Sequence, residues 1–233
     1  MSRKQHLALL SDLPYPDVVN ASSSPVELDL PTRNASLALK ESRDPSAGLT
    51  RTRPTPAAAF HTARRMYLEG RRVDMRALAS ELGISRPTLY RWTGQREQLL
   101  SDVLWSLSDE IFERAKADHP KHEGAKRLLA IYRQHVGALV EAEPLHAFLR
   151  QETHFALRVL TSPAGGVQPR TVWKLAELYR EEQQAGAFRP KVAPDVLAYA
   201  VVRLTEGFIY NDALATVEPA VERAAQIVAL LLD

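Results

Sequence analysis

The side chains best equipped for chemistry in this chain are crowded between Ser85 and Trp92. Ser85, Arg86, Pro87, Thr88, Tyr90, Arg91 and Trp92 stand there almost without interruption. A guanidinium is a rigid fork of N–H donors that matches a phosphate or the edge of a guanine. Hydroxyls and a phenol add shorter-range hydrogen bonds to the same kind of target. This is equipment for gripping a polyanion without altering it. The sequence shows no serine-centred nucleophile elbow, no glycine-rich phosphate loop and no convincing carboxylate dyad. Cysteine is absent, and His135, His146 and His154 have no acid or histidine at metal-ligand spacing. The chain therefore reads as a binding protein and not an enzyme, with no cofactor and no metal.

Two short helical patterns must position these residues. Met75, Leu78, Ala79 and Leu82 recur at helical spacing, and Asp74 stands where a carboxylate caps a helix start. Gly83 supplies the bend, since a sharp helix stop favours a left-handed residue. Ser85 can cap the next helix, Arg86 to Trp92, where Pro87 is tolerated in the first turn. Leu89 turns to the core, leaving the polar and aromatic residues outward. A short capped helix of this kind suits a DNA major groove, although a plain helical hairpin shows much of the same pattern.

The detail of that stretch resembles the TetR family of one-component regulators. The resemblance rests on Ala79-Ser80-Glu81-Leu82-Gly83-Ile84-Ser85, then Pro87-Thr88-Leu89-Tyr90, then Arg96-Glu97-Gln98-Leu99-Leu100, in that order. It covers about residues 60–104; the remainder fits the family by size and helicity. It implies an all-α protein: a three-helix helix-turn-helix DNA-binding head followed by a helical ligand-binding and dimerisation body. The expected divisions are a disordered N-terminal extension over 1–54, the head over 55–100 and the effector-binding and dimerisation body over 101–233. Expected DNA contacts are Thr55, Ser85, Arg86, Pro87, Thr88, Tyr90, Arg91, Trp92, Gln95 and Arg96. Arg96 has two readings, a phosphate contact or an ion pair with an acid. Trp92 departs from the family pattern, because Thr93 takes the slot usually held by a core Phe. Trp92 then either fills that space or faces DNA.

Charge distribution agrees with a polyanion-binding head. Residues 51–98 hold ten arginines, no lysine and four acids, a net of +6, whereas residues 99–233 carry a net of −3. Apolar and charged fractions of 45% and 25% are those of a globular protein. The sequence has no apolar run of membrane-spanning length and no secretory hydrophobic region, so the expected location is cytoplasmic with no membrane partner. Residues 1–54 are rich in breakers such as DLPYP and ASSSP. Arg51 and Arg53 could reach DNA as an arm; the plainer readings are a simple tail or a start codon placed too far upstream.

Thr55-Pro56 opens a first head helix that stops at Gly70. A long helix is expected over 94–118, then helices over 124–141, 144–160, 170–185, 194–216 and 218–232, with no strand alternation. The last two are apolar enough to pair with a second subunit, through Leu197, Val201, Leu204, Phe208, Val221, Ala225, Val228 and Leu232, unless they bury in their own body. The candidate effector pocket takes Trp105, Phe112, Tyr132, His135, Phe148, Phe155, Trp173, Tyr179 and Tyr210 as aromatic lining. Glu152, Arg203 and Glu206 are polar interruptions that need a partner or a ligand. A structural pair of Arg203 with Glu206 or Glu152 is the plainer account of these.

The run Glu206 to Leu232 resembles regulators of the QsdR type, which implies a lactone, acyl or other small apolar effector. The function expected is a repressor released by that effector from an inverted-repeat operator in double-stranded DNA. An effector-independent regulator or activator is the alternative, and a helical adaptor for acidic proteins the more distant one.

Overall fold

The computed structural model describes residues 35–43, 54–162, 166–211 and 220–233. The fold is all-α; the regular elements among the described residues are eleven α-helices and one π turn. Helix α1 spans Leu37–Ser42, α2 Pro56–Leu68, α3 Met75–Glu81, α4 Arg86–Thr93 and α5 Arg96–Asp118. Helix α6 spans Gly124–Val140, α7 Glu143–Gln151, α8 Thr153–Thr161, α9 Val167–Gln184, α10 Pro194–Glu206 and α11 Val221–Leu232. The π turn, Gly207–Asn211, continues directly from α10.

Local chemistry sets the head helices. Thr55 Oγ1 accepts from the Ala58 amide at 3.1 Å and Pro56 occupies the first turn of α2. The Asp74 carboxylate accepts from the Arg76 and Ala77 amides, each at 2.9 Å, and starts α3. Gly83 adopts φ +63°, the left-handed turn that lets α4 leave α3 at an angle. The Ser85 hydroxyl then accepts from the Thr88 amide and caps α4.

Two apolar cores follow, joined by α5. The first gathers Phe60, Ala63, Met66, Leu78 and Leu89 from the head, Leu99, Leu100 and Val103 from α5, and Leu149 and Val159 from α7 and α8. The second gathers Phe112 and Ala115 of α5 with Ile131, Tyr179, Val201, Ala225 and Val228. At about 1.5 Å per residue α5 is roughly 35 Å long, enough to serve both. The expected division at residue 100 therefore falls inside one helix, and the head core continues without a break into α7 and α8.

Three expectations differ from the structure. Part of the expected disordered extension is α1, whose Ala38 and Leu39 are buried in the head core. The Ser36 amide donates to Asp102 Oδ2 of α5 at 2.9 Å and Arg43 pairs with Asp109 at 3.3 Å, so an apolar pair and two polar ties hold the helix down. Most of 1–54, with Arg51 and Arg53, lies outside the described residues. The expected helix over 144–160 is two helices, because Glu152 leaves helical geometry at φ −138°, ψ 47°. The bend turns its carboxylate toward Arg96 and Arg72. The expected helix over 194–216 keeps α geometry only to Glu206 and then widens into the π turn; residues 212–219 are outside the description. No described helix is long and apolar enough to cross a membrane.

Candidate functional site

Two places gather the candidate functional side chains: the outer face of α4 and a cavity lined by head and body helices. On α4, Leu89 and Thr93 are fully buried, and the Thr93 hydroxyl donates back to the Leu89 carbonyl at 3.0 Å. Thr93 thus fills the inward slot without leaving a polar group unsatisfied. Tyr90 and Trp92 are half-buried against the head core. Ser85, Arg86, Pro87, Arg91 and Gln95 are exposed, and Thr88 is half-buried with its hydroxyl 2.9 Å from that of Ser85. The Arg86 guanidinium lies 6.0 Å from the Tyr90 ring centre, one turn along the same face.

The head arginines fall into two groups. Arg64, Arg65, Arg71, Arg72 and Arg96 are all in ion pairs, with Glu110, Glu69, Glu81 and Glu152. Arg76, Arg86 and Arg91 are exposed and have no ion pair among the described residues. Among the described head arginines, these three are left to meet an outside anion. Arg76 was missed as a candidate because its place at the start of α3 reads as ordinary solvation.

Arg96 corrects the expected phosphate contact. Its Nε donates to the Val73 carbonyl at 2.6 Å, Nη1 to Glu152 Oε2 at 2.8 Å, and its plane lies 4.4 Å from the Phe155 ring centre. The guanidinium is committed inside the protein, across the junction of α5 with α7 and α8. Burial alone would raise the Glu152 carboxyl; the hydrogen bonds and charges of Arg96 and Arg72 outweigh it and hold it below its ordinary value.

The cavity has a volume of about 220 Å³ and an almost wholly apolar lining. Of the expected lining, Trp105, Phe112, Tyr132, His135, Glu206 and Tyr210 are present. Phe148, Glu152, Phe155, Trp173, Tyr179 and Arg203 do not line it. Phe148 and Phe155 meet edge to face in the first core, Tyr179 packs on Phe188 in the second, and Arg203 is exposed and bonded to Glu206. Helical spacing puts an aromatic on a face without saying which of two cores that face meets.

The polar groups in the wall are mostly answered. Tyr132 bonds Thr205 at 3.0 Å, and His135 bonds Ser108 at 3.0 Å. Burial pushes the His135 imidazole down to about 4, so it is neutral at pH 7. Lys174 is held by Asp109 at 2.6 Å and by Glu113. Glu206 accepts from Gln168 at 2.8 Å and from Arg203 at 2.8 Å, and burial raises its carboxyl above the ordinary range. Sequence reasoning missed Tyr67 and Leu68, which belong to α2 of the head yet line the cavity. Tyr67 reads from its spacing as ordinary head core. Among the described residues no cluster of acids and histidines could hold a metal ion.

The expected dimer residues are also relocated. Leu197, Val201, Ala225, Val228 and Leu232 are buried in the subunit's own second core; Leu204, Phe208 and Val221 are half-buried, and Val201 also lines the cavity. The more regular apolar stripe of each helix faces its own core. A second stripe faces out: Val196 and Tyr199 on α10, Ile227, Leu230 and Leu231 on α11.

A short capped helix with free arginines, carried on a helical body with an apolar cavity, defines a helix-turn-helix regulator. Residues 123–233 match the tetracyclin repressor-like C-terminal domain. The structure of the R. erythropolis transcriptional repressor QsdR, from the TetR family, is similar at 28% identity and a TM-score of 0.70, over 76% of this chain and 93% of that one. The fatty acid degradation regulator FadR from Bacillus halodurans shares the fold, at 15% identity and a TM-score of 0.50, over 75% of this chain and 95% of that one. A comparison with curated proteins finds no match. The C-terminal part of the chain is thus tetracyclin repressor-like, and the described fold is similar to that of a TetR-family transcriptional repressor.

Proposed function

We propose that this chain is a dimeric repressor that grips an inverted-repeat operator with α4 and is released by a small, mostly apolar effector. The observation that carries the reading is the separation of the head arginines. Arg76, Arg86 and Arg91 have no carboxylate partner among the described residues, while Arg64, Arg65, Arg71, Arg72 and Arg96 are paired. Arg86 is the base-reading candidate, because it starts the recognition helix and a bidentate arginine best suits guanine. Arg91 and Arg76, with Thr55, Ser85, Thr88, Tyr90 and Gln95, are candidates for backbone contacts, with Pro87 packing beside them.

The outward stripe of Val196, Tyr199, Ile227, Leu230 and Leu231 supports a second copy as the partner. A two-fold pair would put two α4 helices in successive major grooves about 34–36 Å apart. The apolar cavity supports an effector of lactone or acyl type, which is the class suggested by likeness to the QsdR repressor. Because Tyr67 and Leu68 bring the head into the cavity wall, an occupant would bias the head's position directly.

The test is a selection of duplex DNA on the full chain, followed by band shifts over a salt series. An inverted repeat bound with steep salt dependence is the expected result. Failure to enrich any sequence, or enrichment of a single half-site by a monomer, sinks the reading. Expression of a reporter behind the selected operator separates a repressor from an activator.

A further inference from the structure

Helix α1 is held against α5 at both ends by carboxylates that it shares with α9. At its start the Ser36 amide donates to Asp102 Oδ2 at 2.9 Å, while Arg170 Nη1 of α9 donates to Oδ1 at 2.9 Å. At its end Arg43 Nη2 donates to Asp109 Oδ2 at 3.3 Å, while Lys174 Nζ of α9 donates to Oδ1 at 2.6 Å. Asp102 and Asp109 stand two turns apart on one face of α5, and Arg170 and Lys174 one turn apart on α9. Each carboxylate gives one oxygen to α1 and the other to the body. The first joint is sealed, with Asp102 and Arg170 fully buried. The second is open: Arg43 is 48% exposed, and Lys174 has a second carboxylate partner in Glu113. Asp109 and Lys174 also line the cavity, while α1 lies against the recognition helix α4, with Leu39 and Leu89 in one core. A row of contacts therefore runs from the cavity wall to α4, crossing α5 at a single side chain.

We propose that α1 is a strap that carries the state of the cavity wall to the recognition helix, with Asp109 as the positioning residue and Lys174 and Arg43 as competitors for its charge. This rests on the reading of α4 as the DNA-facing helix and of the cavity as an effector site, and adds a route between them. Lys174 and Arg43 are like charges on one carboxylate, so each weakens the other's hold. When Lys174 turns from Asp109 to Glu113, the Asp109 charge is left to Arg43 and α1 tightens. When Lys174 is drawn wholly onto Asp109, α1 loosens and one side of α4 loses support.

The half-exposed tie at Arg43 adds little to stability, which α1 serves through its buried Leu39. What the tie sets is how firmly α1 backs α4. The sealed joint at Asp102 keeps the start of α1 in place while its end responds, so the strap pivots and does not detach.

The experiment is amide hydrogen exchange on the full chain without DNA, read separately over residues 35–43 and 86–93. Arg43→Ala is expected to speed exchange over 35–43 by about two- to fivefold. Lys174→Gln, made in the body, is expected to slow it by about two- to threefold, and to slow 86–93 in the same direction. A substitution that merely damages structure speeds exchange, so the slowing is the signature of competition for Asp109. Glu113→Gln, at a half-exposed side chain, returns Lys174 wholly to Asp109 and should speed both segments. It keeps the proposal testable should Lys174→Gln fail to fold. In an Arg43→Ala background neither body substitution should alter either segment. The proposal is overturned if Lys174→Gln and Glu113→Gln shift exchange over 35–43 in the same direction or not at all. It is equally overturned if their effects on 86–93 persist without Arg43, which would assign the route to α5 alone. Band shifts on the same variants report separately on DNA: exchange as expected with no DNA binding by any variant would sink the repressor reading and leave the strap standing.

Discussion

Arg96, in the first turn of the long helix α5, closes a two-armed ion pair on Glu152, at the bend where α7 becomes α8. The same guanidinium donates to the Val73 carbonyl in the loop before α3 and stacks on Phe155. One side chain thereby joins the reading head, the linker and the body. Glu152→Gln should cost about 2 kcal/mol, below the value for a fully buried pair because both groups still touch water. In a chain of this size that is roughly 4–8 °C in melting temperature. The Glu152 carboxyl is lowered in the folded state, so its contribution is complete above the unfolded carboxylate value near 4.3 and is lost as pH falls through the lower folded value. Melting temperatures of wild type and Glu152→Gln should therefore lie apart at pH 7 and draw together as pH falls through the lowered folded value.

Asp102 and Arg170 form an ion pair at 2.9 Å with side-chain exposures of 0% and 1%. Asp102 also receives the Ser36 amide ahead of α1 and Gln98 Nε2. Asp102→Ala strands a buried guanidinium that already has two unpartnered nitrogens. The expected loss is about 3–5 kcal/mol by denaturant titration. Removing residues 1–43 should cost less, about 1.5–3 kcal/mol, chiefly the burial of Leu39. An equal or greater loss from the truncation would show that α1 does more than cover the core.

Gly83 has nothing within 4 Å of where a Cβ would stand, so Gly83→Ala meets no clash and only the strain of φ +63°. The expected cost is about 1–2 kcal/mol, with DNA affinity retained once the protein is folded. A loss of binding in the folded variant would mean that the angle between α3 and α4 had changed.

For DNA the predictions separate readout from attraction. Arg86→Ala should cost about 1–3 kcal/mol and relax preference at one base position. Arg76→Ala should weaken binding to all sequences alike and reduce the salt slope by about 1. Competition binding with single-base operator variants reads both effects. Indistinguishable behaviour of the two variants would remove Arg86 from the base-reading role.

Leu230 is 71% exposed on α11, and Ile227 lies one turn before it. Leu230→Glu with Ile227→Glu should give a folded monomer in sedimentation velocity, with unchanged helical signal. Val228→Glu, on the buried face, should instead unfold the chain. A double variant that still sediments with the wild-type mass would clear α11 of any part in assembly.

What could be read along the chain was local. Helix starts at Thr55, Asp74 and Ser85, the turn at Gly83 and the burial of Leu89 follow from cap chemistry and period, which act over a few residues. The bend at Glu152 could not be read, because no Gly or Pro marks it. The bend instead accompanies a contact with Arg96, distant in sequence, which receives the Glu152 carboxylate across the fold. The expected dimer residues turn on a related point. Helices α10 and α11 are apolar on two faces, and periodicity alone does not say which one the subunit keeps.

The amino-acid order on its own settled the helical class, the helix-turn-helix and the exposure of Ser85, Arg86 and Arg91 on α4. These depend on hydrogen bonds and spacings within one or two turns of chain. Which arginines are free, which aromatics share a cavity and that Tyr67 of the head stands in its wall were decided only by the packed molecule. Each is a contact between residues far apart in sequence, fixed by which faces compete for the same buried volume.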